Sequence, residues 1–78
     1  MTVYQFGDND LTERWTWDSE GRAVYHGQAK AGTADDSANW RISKFSYTGT
    51  SYNYDDKKWA DGTADFSKVW DDLAEYTY

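Results

Sequence analysis

The chain has no cysteine and no proline, only one histidine and one methionine, and very few aliphatic side chains. Without cysteine there are no disulfides and no thiolate metal sites, which fits a protein made in a reducing cytosol. Without proline, one common protection of sheet edges is missing, so an uncovered edge is a place for a partner to dock. The aliphatics are Val3, Leu11, Val24, Ile42, Val69 and Leu73. No apolar run approaches the ~20 residues that span a bilayer, and the first residues lack the basic and apolar regions of a signal peptide. A membrane partner is therefore not predicted.

Basic residues are also scarce. Eight Lys and Arg stand against fourteen Asp and Glu, for a net charge of −6. Duplex DNA carries a charge every ~1.7 Å and is bound by clustered cations. Here the cations are scattered, so no nucleic acid partner is predicted. Acidity alone would also fit a DNA mimic, but Lys30, Lys44, Lys57, Lys58 and Lys68 interrupt the negative charge.

What the chain does have is rings. Five Trp, seven Tyr and three Phe make up 19% of its 78 residues, so any core is built from aromatics, each burying about 150–250 Å². The length allows one domain, residues 1–78. A domain this small without disulfide or metal is marginal alone, which predicts self-association or docking on a larger assembly.

Residues 1–11 hold the turn-rich Phe6-Gly7-Asp8-Asn9-Asp10 and read either as an ordered assembly arm or as a frayed end. Arg14-Trp15-Thr16-Trp17 and Arg22 to Ala29 are strand-forming runs joined by the turn Asp18-Ser19-Glu20-Gly21, a hairpin signal. Gly27 inside the second run predicts a bulge or a close neighbour such as a Trp ring. Lys30 to Asn39 is a loop. Trp40 to Tyr47 is the strongest strand, but its apolar parity switches: Trp40 and Ile42 face one way, Phe45 and Tyr47 the other. Either both faces are covered or a bulge resets the register. A turn at Thr48-Gly49-Thr50-Ser51 leads to a strand over Tyr52 to Ala60. Phe66, Val69, Trp70 and Leu73 then follow i, i+3, i+4, i+7, which predicts a short C-terminal helix with Asp65 as its N-cap. The expected fold is mainly β: a small antiparallel sheet, or barrel-like sandwich, of about four strands with that helix on one face. The expected core is Trp40, Ile42, Trp59, Phe66 and Trp70. The rings left over, Tyr4, Phe6, Tyr52, Tyr54, Tyr76 and Tyr78, are the expected interface.

Catalytic chemistry finds little support. His26 has no Cys or second His to form a metal set with it. The neighbouring pairs Asp35-Asp36, Asp55-Asp56 and Asp71-Asp72 diverge on a strand and do not face each other across a substrate. Asp8-Asn9-Asp10 opens like a calcium loop, but Glu13 and Ser19 stand where Gly and Glu are required. No catalytic residue, cofactor or metal site is predicted. Exposed Trp and Tyr leave two roles open, a protein contact or a carbohydrate- or receptor-binding surface.

A set of short motifs runs through the chain: Tyr25-x-Gly27-x-Ala29, Gly32-Thr33, Ala38-x-Trp40-Arg41-Ile42, Trp59-Ala60-Asp61-Gly62, Phe66-x-x-x-Trp70-Asp71-Asp72 and a closing Tyr78. Their order and spacing, from Tyr25 to Tyr78, resemble small proteins of tailed bacteriophages encoded among the virion structural genes. Such proteins often have Pro before the Gly-Thr pair, where this chain has Ala31, and Arg after the Trp-Asp-Asp stretch, where it has Leu73. If that Arg anchors a partner, the interface here differs. The resemblance implies a virion component, a capsid decoration, neck or tail-associated subunit, assembled in the host cytoplasm. Its partners would be other virion proteins and copies of itself.

Overall fold

The computed structural model of the chain describes residues 11–78. The expectations for the arm and for Tyr4 and Phe6 lie outside the described residues. Four strands, β1 (Leu11–Trp17), β2 (Ala23–Lys30), β3 (Arg41–Ser46) and β4 (Asp56–Trp59), form one antiparallel sheet in the order β1-β2-β3-β4. The fold is thus mainly β, and it is an open meander of four strands.

The first hairpin forms at the turn its sequence marks. Asp18 Oδ1 accepts from the backbone N–H groups of Glu20 and Arg22, both at 2.9 Å, and Gly21 supplies the left-handed residue at φ 81°. Arg22 then ties this turn to the β3–β4 loop. Its Nε donates to Asp18 Oδ2 at 2.8 Å, while NH1 donates to the carbonyls of Gly49 and Ser51 at 2.8 and 3.0 Å. The hydrogen bond from the Arg22 backbone, ahead of the other contacts, holds the Asp18 carboxyl below its ordinary 3.8.

One sheet face carries the core. Ala29, Trp40, Ile42, Ala60 and Trp70 are buried together, with Tyr25, Leu73, Tyr76 and Tyr78 packed against them. Gly27 explains how two indoles fit. A Cβ at that position would stand 2.5 Å from Trp70 Cε3 and 3.2 Å from Trp40 Cε3, so only glycine lets both rings lie on the strand. The expectation of a Trp ring over Gly27 is met. The irregularity in the β1–β2 pairing falls elsewhere, between Trp15 and Trp17.

The C-terminal segment departs from the expected helix. Trp40 and Lys68 exchange backbone hydrogen bonds at 2.8 and 2.9 Å in an isolated bridge, which holds this stretch extended. Only a 3-10 turn, Trp70–Glu75, follows. About two helical turns are too few to repay nucleation, whereas the bridge satisfies two backbone groups at once and sets Trp70 over Gly27. Asp65 therefore caps no helix. Its backbone N–H donates to Thr63 Oγ1 at 3.1 Å. A second 3-10 turn, Ala60–Gly62, ends β4. Asp61 takes a left-handed φ of 54°, held because its N–H donates to the Thr77 carbonyl at 2.7 Å and its Oδ1 accepts from the Thr77 N–H at 3.0 Å. The predicted fourth strand is correspondingly shorter, and the residues from Tyr52 to Asp55 are loop.

Two expected core residues need correction. Trp59 pairs with Ser43, whose side chain faces away from Ile42, so strand alternation turns Trp59 to the opposite face, half-buried. Phe66 precedes the Trp40–Lys68 bridge, lies against Arg41 and is 44% exposed.

Candidate interaction face

The second face of the sheet is lined by rings as well, and these are open to solvent. Register places Trp15, His26, Ser43 and Trp59 in one row across all four strands. Small, buried Ser43 sits low in this row. Trp15 stacks on His26 with ring centroids 3.8 Å apart, and Trp17 and Phe45 lie nearly parallel to Trp15 at 5.9 and 6.3 Å. Tyr54 from the β3–β4 loop leans on Phe45 at 4.8 Å. The parity switch along β3 is thereby resolved without a bulge in β3, because Phe45 belongs to a second aromatic layer.

Cations are threaded between the rings. Lys57 Nζ lies 4.7 Å from the Trp59 ring and 5.9 Å from Phe45. Arg41 Cζ lies 4.7 Å from Phe66 and 5.7 Å from Trp59, and Arg41 Nε donates to Gln28 Oε1 at 2.8 Å. Glu13 Oε1 meets His26 Nε2 at 2.7 Å. Trp15 (42% exposed), Trp17 (61%), Tyr54 (54%) and Phe66 all belong to this face, so its exposed apolar groups are contiguous rather than scattered.

The residues expected at an interface divide. Tyr54 joins this face. Tyr52 is exposed on the neighbouring loop, where its hydroxyl donates to the Glu20 carbonyl at 3.0 Å. Tyr76 and Tyr78 instead close the core: the Tyr76 hydroxyl accepts from the Val69 N–H at 2.8 Å, and the Tyr78 hydroxyl donates to the Leu73 carbonyl at 2.7 Å. Burial pushes the Tyr78 phenol above its usual range. Trp15, Trp17, Phe45, Arg41 and Lys57 were not among the expected interface residues. Two signals pointed to the rings among them, the period-2 spacing of Trp15 and Trp17 and the parity switch at Phe45.

Several acidic side chains are paired. Asp35 pairs with Arg14 at 3.2 Å, Asp56 pairs with Lys58 at 3.6 Å, and Asp55 accepts from the Thr48 hydroxyl. Among the described residues, no three His, Asp or Glu side chains cluster to hold a metal ion, and no helix is long and apolar enough to cross a membrane. An open cleft of about 610 Å³ lies beside the face, between β4 and Thr77-Tyr78.

No known protein family, curated protein or solved structure matches the chain. The face itself therefore carries the functional reading.

Proposed function

We propose that this protein is a structural subunit of a tailed-bacteriophage virion that works by protein–protein assembly through the aromatic face of its sheet. The observation that carries the reading is the second ring layer, left open on a chain poor in apolar residues. Protein interfaces concentrate Trp, Tyr and Arg at their centres, and this face has all three. Covering the exposed part of one such ring returns about 2 kcal/mol. Four of them return roughly 8 kcal/mol, which the cost of association, about 4–15 kcal/mol, reduces to a weak single contact. Repetition around a particle raises the strength of such a contact without adding new ones. The order and spacing of the motifs from Tyr25 to Tyr78 support the virion setting.

The test is mass spectrometry of virions purified from the source phage, with copy number measured against the major capsid protein. The proposal expects the chain in multiple copies per particle, and Trp17→Ser to reduce incorporation while the purified variant stays folded. Absence from intact virions overturns the virion setting. Normal incorporation of a Trp15→Ser/Trp17→Ser variant overturns the role of the face.

A further inference from the structure

Trp59 has two cations at its ring, and neither has an anion among the described residues. The three arginines differ in this respect. Arg14 reaches Asp35, and Arg22 reaches Asp18 and Glu20. Arg41 meets no carboxylate among the described residues, although acidic side chains outnumber basic ones fourteen to eight. Lys57, beside the same ring, meets none among the described residues either.

Arg41 is nonetheless held in place. Phe66 stacks against its guanidinium at 4.7 Å and Gln28 accepts from Nε at 2.8 Å. The two terminal nitrogens have no acceptor among the described residues. A guanidinium fixed in this way offers two parallel N–H donors, the geometry that a carboxylate matches. Rings beneath both cations also strip part of their hydration, which strengthens any anion contact made there.

We infer that Arg41, Lys57 and Trp59 form a clip for carboxylate side chains on an extended segment of the protein partner, given that this face docks a protein. Charge complementarity selects this occupant. Both charged centres lie close to a single ring. Arg41 Cζ and Lys57 Nζ lie 5.7 and 4.7 Å from the Trp59 centroid, and an extended segment presents carboxylates on alternate residues along one side, about 7 Å apart. The chain's own charge of −6 sets the limit on the other side. One or two carboxylates are compatible with it, whereas a polymer with a negative charge on every unit is repelled by the body of the protein.

The experiment titrates the full chain with a capped heptapeptide, Tyr-Ser-Glu-Ser-Glu-Ser-Tyr, and with its twin carrying glutamine for glutamate. Indole N–H shifts and tryptophan fluorescence report binding, and oligo(dT) serves as the nucleic acid arm. The glutamate peptide is expected to bind about tenfold more tightly than its twin, since hydrogen bonds to an ionised partner are roughly twice as strong. Arg41→Gln and Lys57→Gln, shown to be folded by circular dichroism, are expected to erase that preference, so that the glutamate peptide binds no more tightly than its twin. Equal affinity for the two peptides, or binding of neither, overturns the clip. If Trp15→Ser/Trp17→Ser still blocks incorporation into virions in that case, the assembly reading stands without it. Oligo(dT) binding more tightly than both peptides overturns the clip and the protein–protein reading together.

Discussion

The two faces of this sheet are built from the same kind of residue and have opposite fates. On one, Trp40 and Trp70 lie on a strand made flat by Gly27 and are sealed by the C-terminal segment. On the other, Trp15 and Trp17 lie on a strand with no layer over them among the described residues and remain 42% and 61% exposed. Composition does not separate the two, since each face is aromatic with cations nearby. What separates them is whether the backbone brings a lid. The Trp40–Lys68 bridge delivers one to the first face. The lesson is that, in a ring-rich chain, an indole's role follows from strand parity and backbone pairing rather than from its hydrophobicity.

The largest break in this comparison should come from the lid. Trp70→Ala empties the space over Gly27 and is expected to cost about 3–5 kcal/mol, most of the stability of a domain this size. Thermal or urea melting checks it, and a variant with wild-type stability would show that the C-terminal layer does not hold the fold. Gly27→Ala comes next. Its new Cβ meets a ring edge at 2.5 Å, and overpacking of this kind costs about 1–3 kcal/mol. An unchanged melt would mean that the indoles are free to slide.

A third change sharpens the comparison by touching neither face. Asp18 and Arg22 bind the β1–β2 turn to the β3–β4 loop. The Asp18 pKa is depressed on folding, so its stabilising contribution is present above the ordinary 3.8 and is lost as pH falls through the lower folded value. Asp18→Asn should therefore be less stable than wild type at neutral pH, with the gap closing as pH falls below about 3.8. A gap independent of pH would remove the ionised carboxylate from the account.

Much of this organisation is legible in the sequence, for identifiable reasons. The Asp18–Gly21 turn is local chemistry, complete within four residues. Gly27 announces a close approach because little else explains glycine in a strand. Trp40, Ile42 and Trp70 could be placed in the core from their strength as apolar groups. The C-terminal helix could not be judged correctly, because a spacing of i, i+3, i+4, i+7 over eight residues does not reveal a backbone bridge to Trp40, far away in the chain. Trp59 was expected in the core for a related reason. Its face depends on pairing with Ser43, a register that the loop between β3 and β4 sets and that composition does not encode. The interaction face was half visible in the parity switch at Phe45, but Arg41 and Lys57 acquire meaning only once register gathers them around Trp59.

The smallest effect on stability belongs to the open face, and it tests the division of labour most directly. The measurement is the urea midpoint of the Trp15→Ser/Trp17→Ser variant beside wild type and Trp70→Ala. If the face serves contact rather than folding, the double variant stays within about 1 kcal/mol of wild type, as exposed sites do, while Trp70→Ala falls far below. A double variant as unstable as Trp70→Ala would contradict the account, because both ring layers would then be holding up the same fold.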